Sequence, residues 1–469
     1  MMRLSEAAGV LGGRYAGADV VFTGVGTDTR TVSAGELFVA LRGDKYDGHR
    51  FLAQAQAAGA VAAMVDESDT QPEQQAFSLL RVENTRRALG ALAAHWRARF
   101  PITVIALTGS SGKTTVKEML AGILREAVQR TSAADAEEAV LATRGNLNND
   151  IGMPLTLLRL RAAHRYAVIE MGMNHAGEIR ELSSLARPEV ALVNNAGTAH
   201  IEFLGSREAI ARAKGEIFEG LAETGTAVIN ADDEYAPLWR QLATGRRCVE
   251  FGLEHPADVT ATYELDAGES RISLKTPGGE ARARLAASGL HNIRNALAAT
   301  AAAIAVDVPV DAIAAGLERF SGIKGRLERK QGLAGAAVID DTYNANPESM
   351  RAAIAVLARA AGTKLLVLGD MGELGAAAER SHATLGLDAR AAHIDRVFAL
   401  GELSKRTAAA FGAGATHYEN IEDLVADLRA ALAPDVTVLV KGSRFMRMER
   451  VVAAIIPQQA REAHEGSIH

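Results

Sequence analysis

The apolar run Ile105-Ala-Leu-Thr108 passes directly into Gly109-Ser-Ser-Gly112-Lys113-Thr114-Thr115, and this junction constrains the chain more than any other stretch. A strand that ends in a glycine loop and restarts as a helix at a lysine-hydroxyl pair is a phosphate cradle. Glycine allows close approach of the backbone, and the helix start offers unpaired N–H groups at the positive end of its dipole. The expected nucleotide contacts are Thr108, Gly109, Ser110, Ser111, Gly112, Lys113, Thr114 and Thr115. In this scheme the N–H groups of Gly109 to Gly112 face phosphate oxygens, Lys113 neutralises the β- and γ-phosphates, and Thr114 helps to hold Mg²⁺. Gly109 stands three residues before Gly112 and position 107 is leucine, so the loop is shorter than the common G-x-x-x-x-G-K-[ST] form. An ordinary strand-turn-helix corner is disfavoured by Gly-Lys-Thr-Thr after an unbroken β run. The loop alone indicates ATP and leaves phosphotransferase, ATPase and ligase open.

A chain of 469 residues has room for about three domains at roughly 150 residues each. The pattern reads as α/β throughout, divided at 1–80, 81–315 and 316–469. The first unit has β runs at 20–22, 37–41 and 60–65 around an alanine-rich helix at 50–58, and a polar separator at 66–75. In the second, strands at 102–107, 166–170, 189–194 and 226–230 alternate with helices at 113–127, 175–186 and 206–222, which predicts a largely parallel sheet. An antiparallel insertion is expected at 246–286, turning at Pro277-Gly278-Gly279. The third unit repeats the alternation, with apolar runs at 336–340, 364–369, 396–400 and 436–440, and is expected to be Rossmann-like. It lacks G-x-G-x-x-G, so a dinucleotide cofactor has no support.

Charge narrows the partners. The 51 basic and 57 acidic residues give −6, with no basic excess suited to nucleic acid or an anionic membrane. No apolar signal core or spanning segment is evident, and the one cysteine, Cys248, is expected to be a buried structural thiol in a reducing cytoplasm.

Several polar residues follow β runs, where α/β enzymes place ligands. Glu170, ending Tyr166-Ala-Val-Ile-Glu170, is a Mg²⁺ ligand candidate, with a helix cap as the alternative. His200 comes to the same edge after Val190-Ala-Leu-Val-Asn-Asn, as a metal or phosphate contact or a structural histidine. Lys214 is a surface lysine on sequence grounds; burial would instead depress its pKa and let the neutral amine take up carbon dioxide as a carbamate. Asn148 and Asn149 offer amides to a sugar or peptide, or simply form a turn. Asn292 and Asn295 share a helix face suited to an adenine edge, with a helix cap at Asn292 as the alternative. Arg326 suits a phosphate, and Asp340-Asp341-Thr-Tyr343-Asn344-Ala-Asn346 faces a cleft. The loops Gly369-Asp-Met-Gly-Glu-Leu-Gly375 and Lys441-Gly-Ser-Arg444 also follow strands, so all three loops are expected to converge on a site between domains that closes.

Taken together, Ala-Leu-Thr-Gly-Ser-Ser-Gly-Lys-Thr, Gly-Asn-Leu-Asn-Asn-Asp-Ile-Gly, Ala-Lys-Gly-Glu-Ile-Phe, Asp-Asp-Thr-Tyr-Asn-Ala-Asn-Pro, Gly-Asp-Met-Gly-Glu-Leu-Gly and Lys-Gly-Ser-Arg resemble the Mur ligase family across the whole chain. That family joins amino acids or peptides to a UDP-sugar precursor of bacterial peptidoglycan. Thr27-Asp-Thr-Arg30, Gly35 to Gly43 and Asp47-Gly-His49 are similar to its UDP-binding domain. The resemblance implies ATP, two Mg²⁺ ions and a carbamylated Lys214, with Lys113, Glu170, His200 and Lys214 catalytic and Thr114, Glu170, His200 and Lys214 at the metals. It assigns Asn292, Asn295, Arg326 and Asp341 to adenine, phosphate or ribose. Thr29, Arg30, Gly43, His49, Asn148 and Asn149 fall to the UDP substrate, and Tyr343, Asn344 and Asn346 to an incoming dipeptide. The implied partners are UDP-N-acetylmuramoyl-tripeptide and D-alanyl-D-alanine, acted on by a cytoplasmic monomer. The diaminopimelate-adding relative carries Asp-Asn-Pro-Arg, whereas here the only Asn-Pro, Asn346-Pro347, is followed by Glu348. A ligase that adds one amino acid, and a nucleotide-dependent scaffold that makes no bond, are the rival functions.

Overall fold

A computed structural model describes residues 1–43, 46–68, 77–131, 135–266 and 268–457. Its central sheet has six parallel strands in the order Arg247–Phe251, Thr226–Asn230, Val190–Val193, Thr103–Thr108, Tyr166–Glu170, Val140–Ala142. Along Thr103–Thr108 successive side chains enter opposite cores, Val104 and Ala106 on one face and Ile105 and Leu107 on the other. That is why the run is apolar without alternation: helices cover both faces. Between Tyr166–Glu170 and Val190–Val193 the chain crosses from one side of this strand to the other, so the glycine loop opens at the sheet's switch point.

The insertion expected at 246–286 divides differently. Arg247–Phe251 is the parallel edge strand of the central sheet, because the helix Ala236–Leu242 carries the chain back before it starts. Only Thr260–Leu265, Ser270–Thr276 and Gly279–Leu285 form the antiparallel sheet, with Thr276 opposite Gly279 across the turn. The expected burial of Cys248 is corrected with it: Val249 and Phe251 point inward on the edge strand and Cys248 is exposed.

The N-terminal sheet has five strands, Arg14–Ala16, Ser78–Val82, Ala62–Asp66, Glu36–Val39 and Gly24–Gly26, and so extends past residue 80. The separator read at 66–75 lies from residue 69 onward outside the described residues. The helix Thr85–Arg97 then ties this sheet to the central domain, Trp96 Nε1 donating to Leu160 O at 3.1 Å and Arg97 Nε to Ala186 O at 3.0 Å. In the third domain five parallel strands and one antiparallel edge strand run Glu328–Gln331, Ala337–Asp341, Val436–Lys441, Thr363–Gly369, Arg396–Leu400, Ala415–Tyr418. Ala337–Asp341, Val436–Lys441 and Thr363–Gly369 are neighbours, which brings the ends of all three polar loops together. Among the described residues no helix is long and apolar enough to cross a membrane.

Candidate active site

The glycine loop is held from the adjacent strand. Val193 pairs with Thr108, so the next residues, Asn194 and Asn195, stand beside the loop. Asn195 O accepts from Ser110 N–H at 3.1 Å and Asn195 Oδ1 from Ser111 N–H at 2.9 Å, while Asn194 Nδ2 donates to Ser111 O at 2.9 Å. The N–H groups of Ser110 and Ser111 are therefore bonded to Asn195 in this structure. The first intrahelical bond runs from Val116 N–H to Gly112 O, so the amides at 113–115 have no intrahelical acceptor. Gly112 has φ +80°, and a Cβ there would lie 2.2 Å from Asn295 Oδ1. Asn295 also accepts from Asn194 Nδ2 at 3.1 Å, and Asn292 Nδ2 donates to Ser288 O at 2.9 Å. Both asparagines are buried, and Asn295 packs against Gly112 of the loop while Asn292 Oδ1 accepts from Asn295 Nδ2 at 3.4 Å. Asn292 is not a cap, since the helix Leu290–Ile304 starts after Gly289.

Glu170 is 2% exposed and has no ion pair among the described residues. Its Oε2 accepts from Thr114 Oγ1 at 3.0 Å and its Oε1 from Asn148 Nδ2 at 2.8 Å. A buried carboxylate held only by neutral donors is suited to a cation, and Mg²⁺ takes one or two carboxylates together with phosphate and water oxygens. That fits the absence, among the described residues, of any three His, Cys, Asp or Glu side chains gathered as a metal cluster. Asn148 is thus bonded to Glu170, and Asn149 Oδ1 accepts from Gly152 N–H at 2.8 Å at the start of the helix Gly152–Leu157.

Lys113 Nζ folds back onto Gly109 O at 2.8 Å, and burial lowers its pKa against the pull of Glu170. Lys214 is 1% exposed and lies in the last turn of the helix Arg207–Gly215, so the expected surface position is corrected. Its Nζ has no hydrogen bond or ion pair among the described residues. Burial, and then the charge of Lys113, hold its pKa well below the usual lysine value. The neutral amine that a carbamate requires is therefore favoured here.

Third-domain groups close over this site. Arg326 Nη2 donates to Thr114 Oγ1 at 3.0 Å, its guanidinium lies 4.2 Å from the Tyr343 ring centroid, and its Nε is buried without a partner among the described residues, a donor left for an anion. Asn346 caps the helix Pro347–Leu357 and its Nδ2 donates to Ser111 Oγ at 3.2 Å. Glu348 Oε1 accepts from the Thr198 hydroxyl at 3.0 Å. His200 Nδ1 lies 2.7 Å from Glu373 Oε2, and no hydrogen bond or ion pair joins His200 to Glu170 or Thr114. The three loops do converge: Ser443 Oγ donates to Ala345 O at 3.2 Å and accepts from Gly372 N–H at 2.9 Å, and Asn344 Oδ1 accepts from Arg444 N–H at 3.3 Å. Asp341 spends its carboxylate on Lys441 Nζ at 2.7 Å and Leu327 N–H at 3.2 Å, so it orders the loop carrying Arg326.

In the N-terminal domain His49 is buried, Nδ1 lying 2.6 Å from Asp47 Oδ1 and Nε2 accepting from Asp66 N–H at 3.0 Å. These bonds anchor the loop that carries His49. Arg30 pairs with Asp28, Thr29 Oγ1 donates to Gln54 Oε1 at 3.5 Å, and Gly43 N–H bonds Tyr46 O at 2.9 Å.

His291 supplies a pH prediction. Burial first, then Lys441 and Arg294, push its pKa down to about 4. An unfolded chain protonates it near 6.5, so its contribution is intact above pH 6.5 and is lost as pH falls toward 4, by at most about 3 kcal/mol. Denaturant unfolding at pH 7 and pH 4.5 should show that His291→Gln loses less stability over this interval than the parent chain.

Three family descriptions match: the Mur ligase family catalytic domain over residues 21–97, the Mur ligase middle domain over 107–303 and the Mur ligase glutamate ligase domain over 325–444. The UDP-N-acetylmuramoyl-tripeptide–D-alanyl-D-alanine ligase of Escherichia coli K12 is 44% identical over 96% of this chain and 98% of its own length. A crystal structure of MurF from Acinetobacter baumannii superposes with a TM-score of 0.88 at 37% identity, covering 96% of this chain and 98% of its own. MurF from Thermotoga maritima, in complex with ADP, gives 0.81 at 28% identity, covering 93% and 98%.

Proposed function

The chain belongs to the Mur ligase family, and we propose from that premise how its site makes a peptide bond. It is an ATP-dependent ligase of peptidoglycan precursor synthesis, joining D-alanyl-D-alanine to UDP-N-acetylmuramoyl-tripeptide with formation of ADP and phosphate. The observation that carries the mechanism is the pairing of the buried Glu170 with Thr114 on the phosphate-loop helix, directly under Arg326 from the third domain.

The tripeptide's terminal carboxylate attacks the γ-phosphorus of ATP, the bond to the β-phosphate oxygen breaks, and an acyl phosphate and ADP result. Lys113, the helix-start amides and Arg326 meet the charge that spreads over the transferred group. The dipeptide amine then attacks the acyl carbon, loses a proton, and expels inorganic phosphate as the amide forms. Thr114, Glu170, His200 and a carbamylated Lys214 would hold two Mg²⁺ ions, which neutralise the phosphate oxygens that otherwise repel an incoming carboxylate. Contacts of Arg326, Asn346 and Glu348 with the central domain keep water from the acyl phosphate and align the amine. Tyr343, Asn344 and the Ser443 loop form the wall nearest the incoming dipeptide. The N-terminal domain, through Thr29, Arg30 and Gly43, receives the uridine nucleotide, and the ligase works as a monomer in the cytoplasm.

The test is a mixture of UDP-N-acetylmuramoyl-tripeptide, ATP and either D-alanyl-D-alanine or free amino acids, read by mass spectrometry. Product with the dipeptide alone is expected. Product only with single amino acids would overturn the assignment, and nucleotide binding without any product would favour a scaffold.

A further inference from the structure

Lys117 is among the largest fully buried side chains of the protein, and no step above uses it. It sits four residues after Lys113 on the phosphate-loop helix, where two cations on one face repel, and a buried ammonium is costly. Its bonds indicate what offsets that cost. Lys117 Nζ donates to Thr143 O at 2.5 Å and lies 2.7 Å from a Glu118 oxygen. Thr143 Oγ1 in turn accepts from Glu170 N–H at 2.9 Å, and Thr143 N–H donates to Val168 O at 3.0 Å. Glu170 Oε2 then returns to the same helix through Thr114 Oγ1 at 3.0 Å.

The bonds close a circuit from helix to Thr143, to Glu170, and back to the helix. Thr143 follows Val140–Ala142, a three-residue edge strand paired among the described residues only to Tyr166–Glu170. Such an edge is weakly held by its own ladder, and Lys117 is the side chain that fastens its end to the helix. We propose that Lys117, acting through Thr143, is a positioning residue that sets Glu170 against Thr114 and thereby the affinity for the divalent cation this pair holds. The inference rests on the reading of Thr114 and Glu170 as that cation's ligands. Groups that orient metal ligands typically change affinity by about 10- to 100-fold when removed.

The test uses Mn²⁺ in place of Mg²⁺ with ADP and the full chain, free Mn²⁺ being counted from its electron paramagnetic resonance signal. Lys117→Met and Thr143→Ala should each weaken Mn²⁺ binding about tenfold, and the double variant should be no weaker than either alone. Glu170→Ala serves as the reference for the ligand pair. If Glu170→Ala weakens Mn²⁺ binding but Thr143→Ala and a folded Lys117→Met bind it as the parent chain does, the positioning role is overturned. If Glu170→Ala also binds it unchanged, the ligand reading falls first and takes the inference with it. Should Lys117→Met fail to fold, Thr143→Ala decides alone, since its hydroxyl contacts only the Glu170 amide in this circuit.

Discussion

Lys113→Met is expected to lower substrate-dependent phosphate release roughly a thousandfold, with the loss in kcat. The ammonium reaches the phosphates from the first residue of the helix Lys113–Thr131 and meets charge that grows as the γ-phosphoryl group leaves. An interaction stronger in the transition state than in the ground state appears in kcat, not only in KM. Stability should change little. Burial already works against the charged amine, and its hydrogen bond to Gly109 O closes a loop that Asn194 and Asn195 also hold. Lys113→Arg should not restore the rate, because a planar fork cannot replace a compact ammonium inside a tight glycine loop. Steady-state kinetics with both substrates, beside a thermal unfolding curve, measures both halves of this expectation.

Lys214→Ala is expected to reduce ligation by a comparable factor and to respond to small acids. A carbamate forms when the neutral Nζ adds to the carbon of carbon dioxide and releases a proton, converting a buried amine into an anionic ligand. Loss of an anion worth several kcal/mol at a metal site corresponds to roughly a thousandfold in rate. The alanine variant has no amine to carbamylate, so bicarbonate cannot restore it, whereas formate or acetate can occupy the vacated space and supply a carboxylate. Titration of activity with these acids makes the measurement, and full activity in the untreated variant would remove the carbamate from the mechanism.

Much of this architecture is legible from local pattern. The unbroken apolar run before Gly109 announces a strand covered on both faces, and the alternation along Ser270–Thr276 announces a half-buried one. Arg247–Phe251 is harder, because a five-residue run carries no sign of its direction; the preceding helix decides it, and Cys248 is turned outward as a result. Lys214 had a usable signal: Ile210, Lys214 and, in the tighter turn Glu216–Phe218 that continues the helix, Ile217 recur at spacings of four and three and are all buried, so the lysine faces inward. Asn194 and Asn195 had none on their own. Their partner Ser111 is more than eighty residues away, and only the register of Val193 against Thr108 brings them to the glycine loop. Thr143 and Lys117 escape for the same reason, as does Glu373, whose carboxylate meets His200 only when two domains are in contact. The motifs identify which loops matter. Which side chains face a ligand and which hold the loops in place is decided by tertiary neighbours.

In this mechanism the phosphate loop activates a carboxylate. Tripeptide substrate labelled with ¹⁸O in its terminal carboxyl group, turned over with ATP and D-alanyl-D-alanine, tests it most directly. Attack by that carboxylate on the γ-phosphorus leaves one of its oxygens on the released phosphate, so each inorganic phosphate should carry one ¹⁸O atom when both carboxyl oxygens are labelled. Phosphate free of label, released in step with product, would contradict an acyl phosphate.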